Sequence, residues 1–432
     1  MATKEEKGEL KITAPTSWWK RMTKALMLSS EKSNDTGDTT SFLSCVLVNG
    51  RMDGSLSLSS ESGVSKTHVL VKPGDEKIDS DGEGKFMVKA SDLLNCVNSL
   101  PEDDVSAFFD GQYVVIETSD GRIKYKHPLV SIFSHDSTPQ TQHSFDDNSL
   151  IITCSGEEFV RKYRAAQTMS YEIARDQNIQ LTPLNSCVMS IEDSGLQMFS
   201  IASCSSEAYI DEEVEYVGNR KNPVKSVLSF THPEHMTQRI SMFSENKDIR
   251  VGIGDNMNVH IEDDYIHMEI AKMNILNLNL KENKMTVDRI MNLVEPLWKN
   301  RIVTVEINAK EFFGAFSRAS KSSDSIVLEI TDTEILMRGR IKDSNEVPFK
   351  QSLDCSTQWH DDDAHKQVIG MRLEPLSLVA PVATSLDTLK FTISVQDVGN
   401  TESYLVTMGF DEKKDYDPED PHNFFIMPTL NL

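Results

Sequence analysis

The feature that most constrains this chain is a pattern that occurs three times. Leu10-Lys-Ile-Thr-Ala-Pro-Thr-Ser-Trp-Trp19, Leu150-Ile-Ile-Thr-Cys-Ser-Gly-Glu-Glu-Phe159 and Val303-Thr-Val-Glu-Ile-Asn-Ala-Lys-Glu-Phe312 each read as a short alternating strand, a turn and a helix start. Ile12, Ile152 and Val305 each stand seven residues before an aromatic: Trp19, Phe159 and Phe312. The offsets between copies are 140 and 153 residues. A second strand-turn-helix follows in every copy, with an acid in its first helical turn at Asp92, Glu234 and Glu374, where the helix dipole favours one. Paired alternating strands come next: Val105–Phe109 with Tyr113–Glu117 across Asp110-Gly111, Ile249–Ile253 with Met257–Ile261, and Leu389–Val395 with Ser403–Met408.

Three copies of strands, helix, strands, helix, strands predict an α+β chain with two helices packed on antiparallel sheets in each copy. The expected domains are 1–140, 141–284 and 285–432, the last including a linker and a C-terminal tail. Residues 53–83, 211–224, 341–366 and 409–422 interrupt the pattern and are polar or acidic, so they are expected to be solvated loops.

Charge narrows the functional classes. The chain has 67 acidic and 44 basic residues, a formal charge of −23, which argues against broad coating of nucleic acid but leaves room for a local basic surface. Placed on a helical wheel, the first helix of each copy separates its residues. Trp18, Trp19, Met22, Ala25 and Leu26 gather opposite Lys20, Arg21 and Lys24. Phe159, Val160, Tyr163 and Ala166 gather opposite Arg161, Lys162 and Arg164. Phe312, Phe313, Phe316 and Ala319 gather opposite Arg318 and Lys321. Any amphipathic helix carries Lys and Arg outside. Here the bias recurs three times, at one place in the repeat, in a chain with excess acid. Basic faces around one axis would suit a duplex held by its phosphates without base reading.

These segments resemble the bacterial-type DNA polymerase sliding clamp, the β subunit and processivity factor of the replicative polymerase. The resemblance covers nearly the whole chain. It is carried by "KFMVKASDLLNCVNSLPEDDVSAFFDGQYVVIET" in copy one, "VTVEINAKEFFGAFSRASKSSDSIVLEITDTEILMRG" in copy three and the terminal "FFIMPTLNL". It implies a head-to-tail homodimeric ring, with helices lining a pore for double-stranded DNA and sheets outside. Such a ring catalyses nothing and uses no cofactor or metal; it tethers DNA polymerase and the clamp loader, which dock through short apolar peptides. The pore residues would then be Lys20, Arg21, Lys24, Arg161, Lys162, Arg164, Arg239, Arg318 and Lys321. The partner cleft would draw on Leu293, Val294, Leu297, Phe425, Met427, Pro428 and Thr429. Asn423 to Met427 is expected to be the last strand, with Phe424 and Ile426 facing the core while Phe425 and Met427 face the cleft. The chain departs from the family where "SIASCSSEAYID" replaces the usual second-domain loop and where the linker lacks the Phe-Pro-Asp-Tyr motif, which suggests a divergent, phage-type member.

Other signals are weaker. His360-Asp-Asp-Asp-Ala-His365 has metal-ligand residue types but reads as an acidic loop. Val251-Gly-Ile-Gly254 precedes a strand and so lacks the context of a phosphate loop. The six cysteines form no C-x-x-C pair and read as reduced, mostly buried thiols. Trp359 and Tyr171 are expected in the core rather than stacked on bases. No apolar run reaches the length of a membrane helix and no secretory leader is evident, so a cytoplasmic protein is expected. The competing expectation is a clamp-fold interaction protein that binds replication factors without encircling DNA.

Overall fold

The computed structural model describes residues 9–29, 44–130, 145–168, 187–271, 299–410 and 423–430, apart from 63–64, 102, 146–148, 193–194, 202–203, 219–223, 228–232, 255–257, 345, 361–363 and 399–400. Among the described residues two helices come from each copy of the repeat: α1 (Thr16–Leu28) and α2 (Ala90–Asn98), α3 (Gly156–Thr168) and α4 (Pro233–Ser241), α5 (Ala309–Ala319) and α6 (Leu373–Ala383). The strands Leu10–Pro15, Leu150–Cys154 and Arg301–Asn308 lead into α1, α3 and α5. The seven-residue spacing has a packing cause, because Ile12, Trp19, Ile152, Phe159, Val305 and Phe312 are all buried. The apolar halves of the first helices are buried as the wheels require, from Trp18 and Trp19 to Phe316 and Ala319.

The chain forms two compact units, Met1–Glu157 with Glu212–Lys272, and Glu158–Asp211 with Met273–Leu432. The middle copy therefore contributes to both. In the first unit one antiparallel sheet runs Asp79–Gly82, Leu10–Pro15, Asp104–Phe109, Tyr113–Thr118, Lys124–Pro128. Asp110 tightens its hairpin, with Oδ1 accepting from the backbone N–H of Gln112 and Tyr113 at 2.9 and 2.7 Å, while Gly111 takes φ +82°. A second sheet joins two copies: Ile266–Ile270 of copy two pairs with Ser65–Val71 of copy one, Ile266 opposite Val69 and Ile270 opposite Ser65. Under α1, Trp19 Nε1 donates to the Val105 carbonyl at 3.1 Å and ties helix to sheet.

The second unit repeats the device. Phe424–Pro428 of copy three pairs on one side with Thr401–Gly409 and on the other with Ser205–Ile210 of copy two. The sheet continues through Thr388–Val398, Arg301–Asn308, Lys350–Trp359, Glu334–Arg340, Ser325–Ile330 and Gln367–Arg372.

Three of the expected solvated loops are corrected. Residues 53–83 contain the strands Leu56–Glu61, Ser65–Val71 and Asp79–Gly82; 211–224 contains Val214–Tyr216; and 341–366 contains the ten-residue strand Lys350–Trp359. Polar content misled here because Lys350–Trp359 alternates exposed with less exposed positions, one face to solvent and one toward the protein. Of the fourth expected loop, residues 411–422 lie outside the described residues.

Candidate functional site

The basic residues divide by what they touch. Arg21 on α1 does not point freely outward. Its guanidinium donates to Asn246 Oδ1 at 2.8 Å and ion-pairs with Asp263, whose side chain is 1% exposed. Asn246 Nδ2 donates to the same carboxylate at 2.8 Å. Arg239 on α4 is buried and donates through Nε and Nη2 to the Leu28 carbonyl at 2.9 and 2.5 Å. It thus satisfies one of the orphan carbonyls at the C-terminal end of α1. Lys162 on α3 is only 3% exposed; its ammonium donates to the Tyr209 carbonyl and pairs with Glu158 at 3.1 Å. These three residues hold elements together, which corrects the expectation that they form an outward face. Arg318 is exposed and donates to Gln351 Oε1 at 3.2 and 2.9 Å. Lys24, Arg164 and Lys321 are exposed, while Lys20 and Arg161 are half-buried. The solvent-facing basic set is smaller than the wheel implies, because a wheel cannot see a neighbouring helix or strand that covers its polar side.

The tail strand is also built differently from expectation. Phe424, Phe425, Ile426 and Met427 are all buried, and Phe425 packs its ring 4.8 Å from that of Phe410. Both sides of this strand are hydrogen-bonded to neighbours and both faces are covered, so Phe425 and Met427 line no open surface in the free chain. Pro428 is exposed and Thr429 half-buried, with Thr429 N–H and Oγ1 both donating to the Tyr404 carbonyl at 3.0 and 2.9 Å. Leu430 N–H then donates to the Gly370 carbonyl at 2.8 Å. Leu293, Val294 and Leu297 lie outside the described residues.

Asn423, which starts this strand, was not singled out as a functional residue by its sequence context. It adopts φ +62°, its Oδ1 accepts from Tyr209 N–H at 2.9 Å, and its own N–H donates to Glu207 Oε2 at 2.8 Å. Gln197 Nε2 donates to Glu207 Oε1 at 3.2 Å. Asn423 and Glu207 are each about 1% exposed, so this polar pair is a buried clasp between copies two and three. The available signal was the residue type, since Asn tolerates the left-handed region better than most residues do.

Two strand segments in these seam positions lack a second neighbour among the described residues. Lys124–Pro128 closes copy one as Ile266–Ile270 closes copy two and Phe424–Pro428 closes copy three; among the described residues it pairs only with Tyr113–Thr118. In copy three, Lys350–Asp354 takes the place that Ser65–Val71 and Ser205–Ile210 hold in copies one and two. Among the described residues this half of the strand pairs only with Glu334–Arg338, while Cys355–Trp359 pairs with Arg301–Asn308.

Among the other weak signals, His365 pairs with Asp332 at 3.5 Å, and Trp359 Nε1 donates to the same Asp332 at 2.7 Å. Asp361–Asp363 and Tyr171 lie outside the described residues. Among those that are described, no group of three or more His, Cys, Asp or Glu side chains is arranged to hold a metal, and no helix is long and apolar enough to cross a membrane.

No protein-family model matches the chain. No curated protein matches it in sequence. Solved structures do match over its length. The DNA polymerase III β subunit of Thermotoga maritima superposes with a TM-score of 0.66 at 14% identity, over 98% of this chain and 100% of that one. The sliding clamp of Pseudomonas aeruginosa bound to griselimycin gives 0.68 at 12% identity, and that of Bacillus subtilis 0.67 at 12%, each with the same coverage. At these identities the likeness is one of fold: the chain has the three-sheet architecture of bacterial DNA polymerase sliding clamps.

Proposed function

We propose that the protein is a DNA sliding clamp, a non-enzymatic processivity factor that closes head to tail with a second copy around double-stranded DNA. The observation that carries this reading is the repeated seam. Twice within the chain, the last strand of one copy pairs antiparallel with the fourth strand of the preceding copy, at Ile266–Ile270 with Ser65–Val71 and at Phe424–Pro428 with Ser205–Ile210. The same two roles then remain open among the described residues, one on each end copy, at Lys124–Pro128 and Lys350–Asp354. A strand edge is a row of unmet hydrogen-bonding groups. Two copies of the chain, joined twice through these edges, meet both demands and leave no end.

In this ring Lys24, Arg164, Lys321 and Arg318 supply the sequence-independent phosphate contacts, supported by Lys20 and Arg161. Polymerase and clamp-loader peptides dock beside the tail, where Pro428 and Thr429 reach the surface. The work is done by topology in the compartment that holds the DNA, and no reacting group is required. Sedimentation of the pure protein should give about 97 kDa, twice the 48.6 kDa chain. Protein loaded on closed circular DNA should be retained and then lost on linearisation. Equal loss from both DNA forms would eliminate encirclement.

One observation favours a second reading, an interaction protein with this fold that stays monomeric. The open strand reads Lys-Tyr-Lys-His-Pro and exposes Lys124 and Lys126. Charged edges of this kind are how monomeric sheets avoid pairing. A 48.6 kDa species at micromolar concentration would select this reading.

A further inference from the structure

The open edge of copy one carries a side-chain cluster that the ring does not require. His127, on the strand Lys124–Pro128, lies over α2 with Nε2 at 2.9 Å from Cys96 Sγ. Its Nδ1 faces Asp92 Oδ2 at 3.9 Å. Tyr125 points to the same side and its hydroxyl accepts from Ser99 Oγ at 2.9 Å, so two contacts press the edge strand onto α2. Thiol, imidazole and carboxylate thus stand in line: a nucleophile, a base and a group that orients the base.

Neither of the other copies has this arrangement. Pro128 pairs opposite Tyr113, Ile270 opposite Val259 and Pro428 opposite Leu405, which sets His127 level with Glu269 and Met427. Counting from the first residues of α2, α4 and α6, Cys96 is level with Arg239 and Val379. Copy three therefore puts Met and Val where copy one puts His and Cys. The cluster belongs to the copy whose edge is open.

Acyl transfer does not fit the cluster. Cys96 is the seventh residue of α2, so nearby backbone N–H groups are committed to the helix and no donor pair waits for an oxyanion. A reaction that needs no oxyanion hole is thiol–disulfide exchange.

We propose that Cys96 is a base-assisted thiol modification site that takes low-molecular-weight disulfides, and that occupying it lifts the strand Lys124–Pro128 off α2. His127 Nε2 accepts the thiol proton while Asp92 steadies the imidazole. The sulfur attacks one sulfur of the disulfide; that S–S bond breaks, a new one forms to Cys96, and the other half leaves as a thiolate that takes the proton from His127. Cys96 is oxidised and the leaving half is reduced, so no further reagent is needed. The proton moves while the strand is seated, and the disulfide then reaches the sulfur as the edge strand frays, since Cys96 itself is only 4% exposed. The adduct cannot fit in the 2.9 Å between sulfur and imidazole, so the strand cannot reseat.

Cys355 provides an internal control. It is half-buried and so better exposed than Cys96, and burial first, then Asp354 and Glu334, pushes its thiol up to about 11. Burial, then Asp92, pushes Cys96 to about 11 as well. Burial and nearby carboxylates push both thiols upward, so exposure favours Cys355 and the imidazole favours Cys96. The full chain treated with glutathione disulfide near neutral pH should carry the adduct on Cys96 first, as read by peptide mass mapping. His127→Asn should slow Cys96 by at least about tenfold and leave Cys355 unchanged. Modification of Cys355 first, or an unchanged or faster Cys96 in His127→Asn, would overturn the assignment. Amide hydrogen exchange at residues 124–128 should quicken in the adduct and revert on reduction; unchanged exchange would overturn the lifting. Opposition to ring closure by the adduct depends on the function proposed above. A chain that is monomeric throughout would defeat that reading and leave the Cys96 chemistry intact.

Discussion

The strands that close copy three and copy one hold the same place in the repeat and differ in almost every side chain. Phe424–Pro428 is apolar, paired on both sides and buried from Phe424 through Met427. Lys124–Pro128 is charged, paired on one side and alternates exposed with half-exposed residues. Both end in proline, and both run on into a backbone bond to the strand that leads into the copy's second helix: Val130 N–H to the Met87 carbonyl at 2.8 Å and Leu430 N–H to the Gly370 carbonyl at 2.8 Å. Backbone geometry is thus preserved while side-chain chemistry makes one strand a buried seam and the other a charged, exposed edge.

The comparison breaks most visibly under truncation. Phe425→Ala should cost about 3–5 kcal/mol in denaturant unfolding, because a fully buried ring leaves a cavity. Tyr125→Ala at the level position should cost under about 1.5 kcal/mol, since its ring is already partly wet. Equal losses would mean that the two strands are not distinguished by burial.

A smaller contrast separates structural from solvent-facing cations. Arg21→Ala leaves the buried Asp263 carboxylate with Asn246 as its remaining side-chain donor and should destabilise the first unit by about 2–4 kcal/mol. Lys24→Glu should leave stability within about 0.5 kcal/mol while shortening retention on circular DNA. If Lys24→Glu unfolds the chain and Arg21→Ala does not, the division of the basic residues is wrong.

The smallest effect concerns pH beside the first-unit seam. Burial works against charging Glu262, but hydrogen bonding and charge from His267 and Arg250 outweigh it and hold the carboxyl below its ordinary 4.5. A folded value below the unfolded one adds stability that is present above about pH 4.5 and is lost as pH falls through the folded value. Glu262→Gln should therefore flatten the acid limb of the unfolding curve. An identical acid limb would show that the Glu262 contacts are not energetically coupled to folding.

Much of the fold was legible in the sequence. The seven-residue spacing from Ile12 to Trp19 and its two echoes located the strand–helix starts, because both ends of each spacing are buried. The hairpin at Asp110-Gly111 was legible because a left-handed glycine and a carboxylate acceptor are local requirements. The strand Lys350–Trp359 was not, since half of its surface is wet and composition alone reads such a segment as loop. The site was legible only in outline. Lys162 and Lys24 look alike on a wheel; one is capped by a carbonyl from the strand Ser205–Ile210 and the other is exposed.

By itself, then, the sequence determined the period of the repeat, the helix and strand types and which helix faces are apolar, since these follow from local periodicity and steric preference. Only the tertiary structure decided which charges are clasps, which strand of each copy finds a neighbour, and that Cys96 and His127, 31 residues apart, come within 2.9 Å. Those outcomes depend on hydrogen bonds and burial between segments far apart in the chain, and neither composition nor spacing carries that information.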